Sequence, residues 1–153
     1  MPIPEFEDNV LPEGIHDCTF EELDEHFGRF QRSDRRINLT KKLKQYLAEA
    51  RQSGVAKAVI VDGSYATAVE EPSDIDLILV LRTDFDLAAG VTPREYNVQS
   101  RRMVRRIYKF DVFAAPEGSV AYKKYLSWFT RVNESKPKPP TAKLRKGVIR
   151  ITL

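Results

Sequence analysis

Two aspartates one residue apart, Asp74 and Asp76, open the apolar run of residues 75–82 (IDLILVLR). In an extended strand alternate side chains share a face. The two carboxylates would therefore stand side by side, with Cα atoms roughly 7 Å apart, while Ile75 points away. Adjacent carboxylates repel unless a cation lies between them, and an oxygen-only donor set favours magnesium or manganese. A third acid, Asp111, interrupts Phe110-Asp111-Val112-Phe113, where apolar neighbours predict a core strand. If that strand lies beside the Asp74-Ile75-Asp76 strand, the three carboxylates can hold two divalent ions roughly 3.5 to 4 Å apart and take the proton of an attacking hydroxyl. Asp74, Asp76 and Asp111 are the candidate catalytic and metal-binding residues.

Upstream, Gly63-Ser64 follows another apolar run, residues 55–62 (VAKAVIVD). Gly63 permits dihedrals and a close backbone approach that a side chain would forbid. Ser64 adds a hydroxyl where amides at a helix N-terminus can meet phosphate oxygens. Both are candidate nucleotide-binding residues. Asp62 reads as a turn former or a group supporting the ligands, rather than as a ligand. Tyr65 and Thr67 are placed either in the nucleotide pocket or on the surface of a short helix, and Ser73 as a cap that orients Asp74. Glu70 and Glu71 precede Pro72 as solvated loop acids. His16 and His26 read as structural, and Cys18, the one cysteine, as an ordinary small residue.

These residues need a scaffold. Residues 55–62 and 75–82 are apolar at nearly every position, which predicts strands covered on both faces and hence a layered α/β sheet. Thr19-Phe20-Glu21-Glu22 has the form of a capping box, so a short helix is expected there, with Phe20, Leu23, Phe27 and Phe30 as its apolar stripe. A second helix is expected from Ser33 or Asp34 to about Gln52, with Ile37, Leu43, Tyr46 and Leu47 inward and Gly54 as its stop. Residues 93–109 read as one helix with Tyr96, Met103, Val104 and Ile107 inward, followed by a strand over 108–114 and a further helix over 118–132. In that last helix Tyr122, Tyr125 and Phe129 seal a core face, or else the interleaved Lys123, Lys124 and Arg131 make it a grip for RNA or an acidic protein. The segment KPKPP, residues 136–140, is a loop, and the alternating residues 147–153 suit an edge strand or a docking arm. The fold class is α/β (α+β), a small mixed sheet packed with helices. It forms one domain over 1–153: an N-terminal helical region over 1–54, a catalytic core over 55–114, and a helix with a basic C-terminal arm over 115–153.

Composition agrees with a folded chain: 153 residues, 42% hydrophobic and 31% charged, exclude disordered and collagen-like classes. The apolar runs are far shorter than the roughly 20 residues of a membrane-spanning helix. The opening residues have no signal-peptide pattern, so no membrane partner and a cytoplasmic location are expected. Charge is divided. Residues 1–34 hold ten acids and two bases, a balance of −8, so the net +3 leaves +11 on the remainder. The bases at 101–109 and in 117–153 suit a phosphate-bearing partner, or else neutralise the acidic N-terminal region within the molecule.

Gly63, Ser64, Asp74, Asp76 and Asp111, in that order, resemble the nucleotidyltransferase superfamily with the polymerase-beta-like fold, especially its minimal stand-alone prokaryotic members in toxin and antitoxin pairs. The resemblance spans residues 55–114. It implies the nucleotidyltransferase (polymerase-beta-like) fold, binding of ATP or another NTP, a Mg²⁺ or Mn²⁺ cofactor, and transfer of NMP to a hydroxyl of a macromolecular acceptor, a partner protein toxin or a tRNA end. Two departures, Ala68 where minimal members commonly place a glycine and a shorter spacing to Asp74, point to the alternative of a catalytically inactive module acting as antitoxin or nucleotide sensor. The motifs LPEGIH (residues 11–16), Asp62-Gly63-Ser64 and KGVIR (residues 146–150) are also similar to a family of small prokaryotic proteins of undefined function.

Overall fold

The computed structural model describes residues 3–28, 34–69, 72–84, 92–132 and 141–153. Apolar runs rich in β-branched residues form β2 (Ala56–Asp62), β3 (Asp76–Leu81) and β5 (Val148–Thr152), joined by β4 (Asp111–Pro116) and by the largely polar β1 (Ile15–Cys18). They make one mixed sheet in the order β1-β5-β2-β3-β4. The outer pairs, β1 with β5 and β3 with β4, are parallel, while β5 with β2 and β2 with β3 are antiparallel.

Five helices pack with this sheet: α1 (Phe20–Leu23), α2 (Asp34–Ser53), α3 (Pro93–Gln99), α4 (Arg101–Tyr108) and α5 (Val120–Phe129). Side-chain alternation divides the core in two. On one face Val59, Val61, Leu77, Leu79, Val112 and Ile149 join Leu43, Tyr46 and Leu47 of α2 and Val104 of α4. On the other, Ala58, Ile60, Ile78, Val80 and Val148 meet Phe129, with Tyr122, Tyr125 and Leu126 of α5 partly buried against them. Both β2 and β3 are thus covered on both sides, as their composition predicts.

The capping box at Thr19 is present, the hydroxyl accepting from the Glu22 amide and the Glu22 carboxylate accepting from the Thr19 amide. α2 ends before Gly54, whose φ of +72° supplies the left-handed stop.

Several expectations are corrected. Residues 93–109 are not one helix: Ser100 leaves the helical region (ψ 118°), ends α3, and caps α4 by accepting from the Met103 amide. The break shifts the phase of the second half, so Ile107 is exposed while Val104 and Tyr108 turn inward; within α3 it is Val98, and not Tyr96, that faces the core. The strand expected from 108 begins only at Asp111, because Lys109 (φ +67°) terminates α4. Ile37 is exposed too, its inward place taken by Arg36 and Thr40. Residues 148–152 form an interior strand rather than an edge or an arm. The edge is β1, a strand that the Pro12 and Gly14 punctuation concealed, and it makes the 1–54 region more than helical. Phe30, Ser33, Glu70, Glu71 and residues 136–140 lie outside the described residues. No helix among the described residues is long and apolar enough to cross a membrane.

Candidate active site

Strand register builds the site. β2 ends at Asp62 and β3 begins at Asp76, and the antiparallel pairing sets these two opposite each other. The parallel pairing of β3 with β4 sets Asp76 opposite Asp111. Directly paired residues project to the same side of a sheet, so Asp62, Asp76 and Asp111 form a row across three neighbouring strands. By parity with Ile60, Ile78 and Phe113 the row lies on the α5 face. The structure thus brings Asp76 and Asp111 together as expected and adds Asp62, whose position at the end of an apolar run concealed it. The readable signal was its parity with Ala58 and Ile60.

Gly63 turns the chain away from β2 with φ +87°. A Cβ there would stand 3.0 Å from the Asp76 nitrogen and 3.1 Å from the Asp74 carbonyl and Oδ1, so only glycine fits. The next residue locks this turn to the segment entering β3. The Ser64 amide and hydroxyl donate to Asp74 Oδ1 at 2.8 and 2.5 Å, and the Ser64 Oγ accepts from the Ser73 amide at 3.0 Å and the Asp74 amide at 3.3 Å. The amide expected to face a phosphate is therefore occupied by the Asp74 carboxylate. Ser73 takes part only through its backbone amide, which donates to this hydroxyl and not to Asp74.

Behind the turn, Arg36 is fully buried. Its guanidinium donates to the carbonyls of Phe27 (3.2 Å), Tyr65 (2.7 Å), Thr67 (2.7 Å) and Val69 (3.0 Å), clamping the segment that follows Ser64 onto α2. Burial pushes the arginine down to about 10. Tyr65 is neither a surface nor a pocket residue: it is buried, its hydroxyl 2.5 Å from the Thr40 Oγ1. Thr67 is buried and reaches the cavity wall. Ala68 stays outside the left-handed region, so it is accommodated without backbone strain.

All five expected site residues line one open cavity of about 500 Å³. Lys146 lines it as well, its Nζ 2.9 Å from Asp62 Oδ1, with the two side chains only 14% and 6% exposed. Burial pushes the Asp62 carboxyl up to about 6 against the opposing pull of Lys146. Asp76 is pushed up to about 7, by burial first and then by the charges of Asp74, Asp62 and Asp111. Asp111 is held by Arg105 at 2.5 Å. These local partners explain why no three His, Cys, Asp or Glu side chains among the described residues are gathered to hold a metal ion as they stand. The donor chemistry nevertheless fits a hard divalent cation: the four carboxylates of Asp62, Asp74, Asp76 and Asp111 line one cavity, where Lys146 is the cation that opposes the crowding on Asp76. The cavity continues along Phe113, Trp128, Phe129 and Arg131.

Lys146 escapes sequence reasoning because a distant contact positions it. The Gly147 amide donates to the Leu11 carbonyl at 2.9 Å, and the Val148 amide to the Gly14 carbonyl at 3.0 Å. Gly147 passes so close to Pro12 that a Cβ would meet its carbonyl oxygen at 2.0 Å. The 11–16 and 146–150 motifs thus meet in space and deliver the ammonium to Asp62. The histidines are structural, as read: His16 Nε2 lies 2.7 Å from the Pro12 carbonyl, and His26 packs between Phe6 and Phe27, burial lowering its pKa. A second cavity of about 540 Å³ lies against Cys18, Lys44 and Arg51. Burial pushes that thiol up to about 12, which removes it as a nucleophile.

The family described as "Family of unknown function (DUF6932)" matches residues 4–152, nearly the whole chain, and the chain belongs to it. No curated protein and no solved structure matches the chain.

Proposed function

We propose that this member of a family of unknown function is a metal-dependent nucleotidyltransferase. It moves NMP from an NTP to a hydroxyl of a macromolecular acceptor, a partner protein or a tRNA end, within a toxin and antitoxin pair in the cytoplasm. The observation that carries the reading is the register that sets Asp76 between Asp62 and Asp111 beside the Gly63-Ser64 turn, on the wall of one cavity. The same three strands in this order support the nucleotidyltransferase (polymerase-beta-like) version of the mixed α/β fold.

Asp74, Asp76 and Asp111 would hold Mg²⁺ or Mn²⁺, which supplies charge compensation for the triphosphate and for the developing alkoxide. The protein's own groups do the rest. Gly63 lets the backbone approach the phosphates, and Ser64 exchanges its Asp74 contact for a phosphate oxygen. Asp111, released from the exposed Arg105, accepts the proton of the acceptor hydroxyl. The hydroxyl oxygen forms a bond to the α-phosphorus as the bond to the bridging oxygen breaks, and pyrophosphate leaves in line. Lys146 offsets the charge of Asp62 throughout.

Calorimetric titration of ATP, GTP, CTP and UTP tests the reading, with magnesium, without it, and in the Asp74→Ala, Asp76→Ala double variant. Binding that needs both metal and carboxylates is expected. A folded protein that binds none of the four at millimolar concentration overturns the reading. A second reading, a nucleotide sensor or antitoxin without catalysis, is favoured by one observation: the Ser64 amide and hydroxyl are both engaged by Asp74. Tight nucleotide binding with no pyrophosphate released in the presence of candidate acceptors would select it.

A further inference from the structure

Around the mouth of the aspartate cavity the charge changes sign. Arg101 lies over the Phe113 ring at 4.5 Å and Lys124 over the Trp128 ring at 5.1 Å. Arg105 reaches Asp111, and Arg131 faces Arg145 in an isolated antiparallel bridge. Phe113, Trp128, Asp111 and Arg131 all line the cavity, so Arg101, Arg105, Lys124 and Arg131 share its border, while Arg145 lines a neighbouring cavity with Glu7 and Glu13. Among the described residues, no carboxylate stands within ion-pair distance of Arg101, Lys124, Arg131 or Arg145, whereas Lys57, Arg82, Arg94 and Arg150 elsewhere on the surface each have one. Charged side chains of the acidic N-terminal region meet the C-terminal segment elsewhere, at Asp17 with Arg150 and at Asp8, which accepts from Thr141 and Ala142, while Glu7 and Glu13 line a cavity with Lys143 and Arg145.

Arg101, Lys124 and Arg131, with no ion-pair partner among the described residues, surround one opening, and such a cluster calls for a polyanion. The tryptophan adds shape: Trp128 is 48% exposed on the same border, and an exposed indole face next to cations accepts a flat ring. We propose that this rim binds a single-stranded nucleic acid. Its phosphodiesters run along Arg101, Arg105, Lys124 and Arg131, with one base displacing Lys124 from the face of Trp128. Single strands are favoured over duplex because a paired base has no free face to offer. An acidic polypeptide would satisfy the cations but leave the indole without a flat partner. As a binding surface the rim stands apart from the transferase reading. Only the step that makes the nucleic acid the acceptor rests on that reading.

The test uses the full chain in EDTA, so metal-dependent chemistry plays no part. A labelled oligonucleotide of about 12 nucleotides is titrated as single-stranded RNA, as DNA of the same sequence and as duplex, beside a poly-glutamate peptide of equal charge. Trp128 is the one tryptophan, so quenching of intrinsic fluorescence reports its stacking directly. Binding of both single strands is expected, with quenching, and with affinity falling with salt at a log–log slope of about −2.8 for about four phosphate contacts. Trp128→Ala is expected to weaken binding roughly tenfold or more. Arg101→Gln, Lys124→Gln and Arg131→Gln are each expected to reduce the slope by about 0.7. Binding of poly-glutamate or duplex as tight as that of the single strands, absence of quenching, or no binding at all overturns the proposal. The nucleotide calorimetry above succeeds or fails independently of each of these outcomes.

Discussion

Two buried cations flank the Gly63-Ser64 turn, and they are held in opposite ways. Arg36 spends its guanidinium on neutral backbone carbonyls at the back of the turn. Lys146 spends its ammonium on a carboxylate at the front. The first arrangement is independent of pH near neutrality and fixes the course of the chain. The second belongs to a crowd of carboxylates whose charge state changes close to neutrality. Rigidity is concentrated on one side of the turn and adjustable charge on the other, an arrangement suited to a loop that must keep its shape while charged ligands come and go.

The sharpest way to break this comparison is Arg36→Met, which strands several buried carbonyls at roughly 1 to 3 kcal/mol each. The expected loss of stability is about 4 kcal/mol, read from urea unfolding, and Arg36→Lys should not restore it, because a single ammonium cannot serve a fork of acceptors. A loss below about 1 kcal/mol would show that the clamp is dispensable.

Lys146→Met should cost about 3 kcal/mol near pH 8, where Asp62 is left as an uncompensated buried charge. Because burial already raises the carboxyl to about 6, and removing Lys146 raises it further, the proton returns on acidification and the loss should shrink near pH 5. An equal loss at both pH values would place the ion pair with Arg36 as a fixed structural tie.

The smallest effect concerns the wild-type chain in EDTA. Asp62 and Asp76 have folded values of about 6 and about 7, above the ordinary 3.8. Their contribution to stability is therefore fully present below about pH 4 and is lost as pH rises through 6 to 7. The melting temperature should fall over that window, and millimolar Mg²⁺ should reduce the fall in the wild type but not in Asp76→Asn. A melting temperature unaffected by Mg²⁺ at about pH 8 would contradict a divalent site among these carboxylates.

How much of this was legible in the residues follows from the range of the forces involved. β2, β3, α2 and the capping box at Thr19 were readable because local pattern and local capping decide them. The break at Ser100 was not, since a serine within a helical pattern carries no warning that its hydroxyl will start a new helix. Ile37 misled because apolar periodicity cannot foresee that a buried Arg36 takes an inward position, and Tyr96 because Val98 takes the inward place on α3. In the candidate site, Asp74, Asp76, Asp111, Gly63 and Ser64 could be named from spacing alone, and the structure gathers them on one cavity. Asp62 and Lys146 could not be paired in advance, since 84 positions separate them and only the meeting of the 11–16 and 146–150 motifs joins them. The amide of Ser64, expected to be open, is engaged because its nearest acceptor is the carboxylate it was meant to assist.

The place of β5 in the sheet also shapes how the molecule must assemble. It is the last strand in sequence, yet it lies between β1 and β2. Until residues 148–152 arrive, the hairpin of β2 and β3 presents an open hydrogen-bonding edge on an apolar strand, and β1 has no partner at all. Closing the sheet requires contacts between segments some 90 to 130 residues apart, which slows folding relative to a chain of local contacts. During synthesis on the ribosome, the half-built sheet is therefore a sticky intermediate, and β5 acts as the wedge that covers the open edge of β2 and recruits β1.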